Sequence, residues 1–356
     1  IYINLFLSFI CSKEIFAPNY LNKILSLILC IILVIFVGLR YRVGGDWVTY
    51  EAIYFNTRFL NFFDIFKLQD SLFYILNYFI SKNGFENGFI LVNLIISIFI
   101  FFSFYKFINF NKLSLLSFII FYPFIIIVLM GFLRQSVCLG FLFLILSNDI
   151  KKNIRKNIIY SILAGLFHNS GFVFLLIPFL YFFSTTFYKN KISYLLLFLA
   201  TIILSIYLYP KFMYKFYIFN EYVKFTLGGL YKSLPIFLSS LIFILFNKNF
   251  KDKIINFRFY LTLSIITIFS YFCIFILGSV IDRMLIFSIP LMILSLSKLY
   301  EIINLKIYKI SYFFCIITFF LFFIIYWLNY SNNSASWVPY NIYIPGCCKK
   351  PYDFVY

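Results

Sequence analysis

Eleven runs of apolar residues, parted by short polar clusters, take up most of this chain. They fall at 1–16, 24–39, 86–105, 113–131, 132–147, 158–183, 192–209, 234–246, 259–279, 284–298 and 310–328. Crossing a hydrocarbon core takes roughly 20 apolar residues, wound as a helix so that every backbone polar group is satisfied within the segment. Runs of this number leave nothing from which to build a water-soluble core. Composition agrees: of 356 residues, 63% are apolar and 12% charged, and mean hydropathy is +0.98. A soluble domain would be about a quarter charged. The fold class expected is an all-α polytopic integral membrane protein with about 10–12 transmembrane helices. It forms a single membrane-embedded domain over 1–356, since no segment is long or polar enough to fold separately. Soluble enzymes, disordered chains and collagen-like fibres are excluded. The stretch 71–82 fits a tilted span or an interfacial helix equally well. The run at Ile1–Ile10 is short for a span, so the first helix is expected to start earlier.

Sidedness follows from charge. The loops Asp149–Asn157 and Asn247–Arg258 are strongly basic and should be cytoplasmic by the positive-inside rule. Lys106–Lys112 and Lys298–Lys309 then fall on the same side. The loops 40–70, 131–134, 210–233 and 279–283, with the tail 329–356, fall outside. Residues 158–183 leave a cytoplasmic loop, and Lys189 and Lys191 also look cytoplasmic, so a re-entrant hairpin broken at His168–Gly171 is expected near 158–183.

The net charge of +18 comes largely from lysine in a composition rich in Lys, Asn, Ile, Phe and Tyr, as AT-rich coding sequence produces. It is not read as a nucleic-acid footprint. Arginine sorts differently: five of the seven, Arg40, Arg42, Arg58, Arg134 and Arg283, fall on the outer side. Guanidinium grips phosphate or carboxylate oxygens in pairs, which an ammonium cannot do. The seven cysteines show no metal or redox spacing, the adjacent Cys347–Cys348 included.

Five motifs carry candidate chemistry. Arg40-Tyr41-Arg42-Val43-Gly44-Gly45-Asp46-Trp47, followed by Tyr50 and Glu51, places two arginines and two carboxylates at one membrane mouth. Its plain alternative is an Arg–Asp pair that holds the loop. Gly131-Phe132-Leu133-Arg134-Gln135 puts a cation between nearly continuous apolar runs, where a charge is costly unless paired or hydrated; a structural partner would be Asp46 or Asp282. Phe167-His168-Asn169-Ser170 holds the chain's one histidine. By helical rise, Arg134 and His168 both fall in the outer half of a core about 30 Å thick. Asp282-Arg283 ends a span as a capping pair or a ligand clamp. Trp337-Val338-Pro339-Tyr340 suits sugar stacking or, more simply, the aromatic belt at the membrane surface. No nucleotide-binding or metal-protease motif occurs; no cofactor and no metal are expected.

These motifs, in this order, resemble the EpsG family of Wzy-type polysaccharide polymerases, over about residues 24–345. Cys138 departs from the pattern where a small residue such as Ala is usual, and Trp47 where Tyr is. The resemblance implies a membrane glycosyltransferase joining undecaprenyl-pyrophosphate-linked oligosaccharide units at the outer face of the cytoplasmic membrane. A chain-length regulator would be a further partner. It implies His168, Asp46 and Arg134 as catalytic, with Arg40, Arg42, Gln135, Asp282, Arg283, Trp337 and Tyr340 binding substrate. Three other readings compete. A lipid-linked oligosaccharide flippase would show internal symmetry, a sugar acyltransferase would place its Arg and His in early spans, and an O-antigen ligase would carry a large outer loop.

Overall fold

A computed structural model describes residues 19–84, 88–187, 227–331 and 334–343. The runs expected at 1–16 and 192–209, most of the loop 210–233, Lys189, Lys191 and Cys347–Cys348 lie outside the described residues. Within them the regular structure is helical: α1 (Asn19–Gly38), α2 (Trp47–Thr57), α3 (Ser71–Lys82), α4 (Gly88–Asn111), α5 (Leu116–Phe124), α6 (Leu133–Leu146), α7 (Ile154–Phe167) and α8 (Leu176–Phe187). They are followed by α9 (Leu227–Leu245), α10 (Phe257–Phe275), α11 (Ile281–Ile302) and α12 (Lys306–Tyr330). The helices α4, α9, α10, α11 and α12 are long and apolar enough to cross a membrane. The chain is a multi-pass, all-α membrane protein. The ambiguous stretch 71–82 is helical as α3.

Helices apolar on every side belong in the centre, and α5, α6 and α11 bury almost all their side chains there. Around them α1, α4 and α12 keep exposed rows such as Ile24, Ile31, Ile98, Phe102 and Phe322, which suit contact with acyl chains.

Three helical hairpins turn at the same end of the molecule. In the first, Pro123 removes a backbone donor within α5, and a π-helical turn over Ile125–Leu129 follows. The chain then turns through Gly131 into α6. In the second, α7 ends at His168, whose backbone is extended (φ −161°, ψ 131°). A 3₁₀ segment, Asn169–Leu175, leads into α8, and Thr185 O near the end of α8 accepts from Arg258 Nη1 at 3.3 Å. Both feet of this hairpin therefore stand at the basic end, and the re-entrant hairpin expected near 158–183 is present. The third turns at Gly278, with φ +45°, a conformation only glycine adopts without strain. Thr267 and Ser288, 21 residues apart on opposite sides of the turn, meet through their hydroxyls at 2.8 Å.

The feet are level with one another. Asn111 Nδ2 donates to Leu146 O (3.4 Å), Asn256 Nδ2 to Asn148 O (3.0 Å) and Lys298 Nζ to Lys112 O (3.0 Å). Both arms of the first hairpin and the first arm of the second hold about 14 helical residues, roughly 21 Å at 1.5 Å each, while the second arm of the second, Asn169–Phe187, holds 19. By the same arithmetic the 24 and 25 residues of α4 and α12 reach roughly 36 Å. The apexes at Gly131 and His168 meet the segment that joins α1 to α4, where Gly44 lies against Met130 and Asp70 accepts the backbone N–H of Asn169, and together they border a recess.

Candidate active site

The recess is walled by the segment that joins α1 to α4, and Asp46, Asp70, Arg134, His168 and Arg283 lie near enough to one another there to interact. Asp70 organises the group. Its Oδ2 lies 2.5 Å from Arg134 Nη1, while its Oδ1 accepts the backbone N–H of Asn169 at 3.1 Å. One carboxylate thereby ties the apex of the first hairpin to that of the second. Asp70 is 7% exposed and left-handed (φ 61°), and though it precedes α3 it makes no side-chain capping bond there. Arg134 also lies over the rings of Tyr50 (5.5 Å) and Phe73 (6.0 Å). The expected ion-pair partners of Arg134, Asp46 or Asp282, are corrected to Asp70, whose carboxylate meets the guanidinium directly while Asp282 pairs with Lys232. Cys138, the small-residue departure, fills the seam between the two hairpins: its Sγ donates to Ala164 O at 3.2 Å.

His168 is half-buried beside Asn169. Its Nδ1 accepts the backbone N–H of Ser170 at 3.2 Å and meets Ser170 Oγ at 2.7 Å. A ring nitrogen that accepts carries no proton, so the neutral imidazole holds its hydrogen on Nε2. Asp70, Arg134 and Arg283 are the charges near enough to act on the ring.

Asp282 forms a 2.6 Å ion pair with Lys232, both largely buried. The reading of Asp282–Arg283 as a mutual capping pair is corrected: one helical position apart, the two side chains diverge, and Asp282 turns to α9. Arg283 is exposed and lies 5.8 Å over the Phe132 ring, which Lys232 also approaches, at 5.3 Å. Gln135 is buried, and its Oε1 has no hydrogen-bond partner among the described residues.

The loop after α1 divides its residues between scaffold and recess. Arg40 is 2% exposed and donates from Nε to Val43 O (3.1 Å) and from Nη1 to Val37 O (3.0 Å), an arrangement that fixes the loop. Gly44, at φ +117°, rests on the first apex: a Cβ there would stand 2.1 Å from Met130 O, so no other residue fits. Arg42 is exposed and lies 5.5 Å over Tyr41. Asp46 makes no ion pair among the described residues. Burial pushes its carboxyl above the usual carboxylate range, while Arg283 and then Arg134 pull it back. Burial also raises Glu51, against Arg42.

The tail seals this loop. Tyr41 N donates to Asn341 O (2.9 Å), Gly44 N to Ser336 O (2.8 Å) and Tyr343 N to Leu39 O (2.8 Å). Trp337 is 7% exposed, donates from Nε1 to Ile126 O (2.9 Å) and abuts Gly45 and Gly131. Tyr340 stacks on Phe36 and donates to Phe36 O. The expected belt position is corrected for both aromatics: their polar groups are used inside the fold, between the tail and the spans.

Two residues of the site were absent from the sequence reading. Asp70 reads as an ordinary helix cap, and only its left-handed backbone turns it inward. Lys232 reads as one lysine among 23. Compared with known families, residues 23–342, nearly the whole chain, match the EpsG family. No curated protein and no solved structure matches the chain.

Proposed function

Because the chain belongs to the EpsG family, a family of Wzy-type polymerase-like membrane proteins, we propose that it polymerises oligosaccharide units carried on undecaprenyl pyrophosphate. The recess then faces the outer side of the cytoplasmic membrane, opposite the basic loops. The observation that carries this reading is the Asp70 bridge, which holds the Arg134 guanidinium and the His168–Asn169 turn together.

In the reaction, a sugar hydroxyl of an incoming unit attacks the anomeric carbon of the growing chain. The bond from that carbon to the pyrophosphate oxygen breaks, and lipid pyrophosphate leaves with the electron pair. Arg134, held flat by Asp70 and Tyr50, stabilises the charge developing on the pyrophosphate, with Arg283 and Arg42 at the rim. His168 contributes its Nε2–H as a donor to the same oxygens. Asp46 takes the hydroxyl proton: it is partly buried, and burial holds its carboxyl above the usual carboxylate range, which favours a base. Gln135, Asp282, Trp337 and Tyr340 shape the pocket from behind rather than touching the reacting bond.

The test is a deletion strain complemented with Arg134→Ala. Accumulation of single lipid-linked units at normal protein level is expected. Wild-type polymer length would overturn the reading. Labelling of Asp46→Cys by an impermeant thiol reagent in intact cells checks the outward orientation; reaction only after permeabilisation would overturn it.

A further inference from the structure

The opposite end of the molecule holds a cavity of about 490 Å³ that the reaction does not use. It lies between the feet of α1, α4, α6 and α7. Three lysines line it, Lys23, Lys106 and Lys156, with Tyr105, Tyr160 and Asn148, and none of the lining residues is acidic. None of these lysines has an ion-pair partner among the described residues. Lys106 lies 4.3 Å over Phe102 and Lys156 lies 5.6 Å over Tyr160, so aromatic faces set the direction of two ammonium groups.

What stands above the cavity identifies its ligand. One turn up α4 from Lys106 are Phe102 and then Ile98, each 50% exposed. One turn up α1 from Lys23 is Leu27, then Ile31; on α7, Ile159 and Ile162 follow Lys156, and all are exposed. A basic cavity at the level of the loops therefore continues, on three helices, into apolar surface at the level of acyl chains. A soluble anion would use the cavity and leave the apolar rows idle; an anionic lipid uses both. We infer that this cavity binds the phosphate headgroup of an anionic glycerophospholipid of the inner leaflet, its acyl chains lying along α1, α4 and α7. Clustered lysines between helices at this depth recognise such headgroups by charge. This inference rests on the opposite end from the polymerase reading and stands or falls separately.

Native mass spectrometry of the detergent-purified chain tests it, with dioleoyl phosphatidylglycerol as probe and dioleoyl phosphatidylcholine as comparison. One phosphatidylglycerol should bind at least tenfold more tightly than phosphatidylcholine. The triple variant K23Q/K106Q/K156Q should lose at least tenfold of that affinity. Ser147→Trp, which fills the cavity from its lining without removing a charge, should lose as much. The exposed triple K248Q/K251Q/K253Q should change binding by less than twofold, and a melting curve in detergent confirms that each variant is folded. Equal binding of the two lipids overturns the inference, as does an equal loss in the exposed triple or wild-type binding by Ser147→Trp. Displacement of the lipid by millimolar inorganic phosphate would assign the cavity to a soluble anion instead.

Discussion

The two ends of this molecule join their helices by different means. At the basic end no ion pair joins one element to another among the described residues: Asn111 and Asn256 donate to backbone oxygens across the loops, Asn148 donates to Asn157 Oδ1, Ile150 N donates to Asn256 Oδ1, and the cations Lys298 and Arg258 donate to the backbone oxygens of Lys112 and Thr185. At the recess end the joints are ionic, Asp70 with Arg134 and Lys232 with Asp282. Amide networks suffice to hold helices in register. Buried ion pairs recover their desolvation cost poorly and are weak devices for stability. Among the described residues the ion pairs that join one element to another both lie at the recess end, which points to a requirement for charge there.

The comparison breaks most visibly at Arg134. Arg134→Ala removes the guanidinium and leaves Asp70 buried without its cation; polymer formation should fall at least 10²–10³-fold, the usual worth of an anion-stabilising donor. Arg134→Lys keeps the charge but not the planar fork, and its loss should be nearly as large at unchanged protein level. Gel analysis of polymer from complemented cells reads both. Full activity in the lysine variant would reduce this ion pair to a structural one, like any other joint.

His168→Ala should cost about 10² in rate. His168→Gln, whose amide can donate but cannot titrate, should recover to within about tenfold of wild type, since the ring nitrogen facing away from Ser170 is a donor. Failure of Gln to recover any activity would assign the role of base to His168 in place of Asp46.

The pH profile sharpens the assignment of Asp46. As the base, Asp46 acts in its ionised form, so rate should rise with pH through its elevated pKa. Arg283 stabilises that ionised form; Arg283→Gln should raise the pKa further and move the acid limb to higher pH, whatever it does to the maximum. A limb that stays in place would exclude Asp46.

The smallest effect on chemistry belongs to the other end. Asn256→Ala leaves buried backbone partners at Asn148 and Ile150 unsatisfied and should lower stability by about 1–3 kcal/mol. Activity per folded molecule should be unchanged, as thermal unfolding and activity in matched amounts of protein would show. A specific loss of activity would mean that the two ends are coupled.

Much of this was legible in the sequence. The apolar runs mark the five long helices and the shorter ones between them, and the break at His168–Gly171 gives the re-entrant hairpin, because apolar periodicity and helix breaks are local properties. The pairing of charges was not. Asp46 and Asp282 lie in the marked motifs and were natural partners for Arg134. Asp70, 64 residues away from Arg134, takes that place through a left-handed backbone that spacing does not encode. Arg40, Trp337 and Tyr340 fall in motifs yet turn inward, because which side of a loop faces the recess depends on what packs behind it. Here that is the tail.

The tail gives the chain an order of assembly. The loop carrying Arg42 and Asp46 follows the first described helix, yet the backbone that braces it, at Ser336, Asn341 and Tyr343, comes after the last. During synthesis from the N-terminus, the loop enters the membrane early and waits for nearly 300 residues before its brace emerges. Until then Arg40 and Gly44 hold their places without the tail's hydrogen bonds, and Trp337 is not yet wedged against the first apex. A half-made chain thus carries the reactive groups without the frame that aligns them, so competence arrives only as the last helix is threaded.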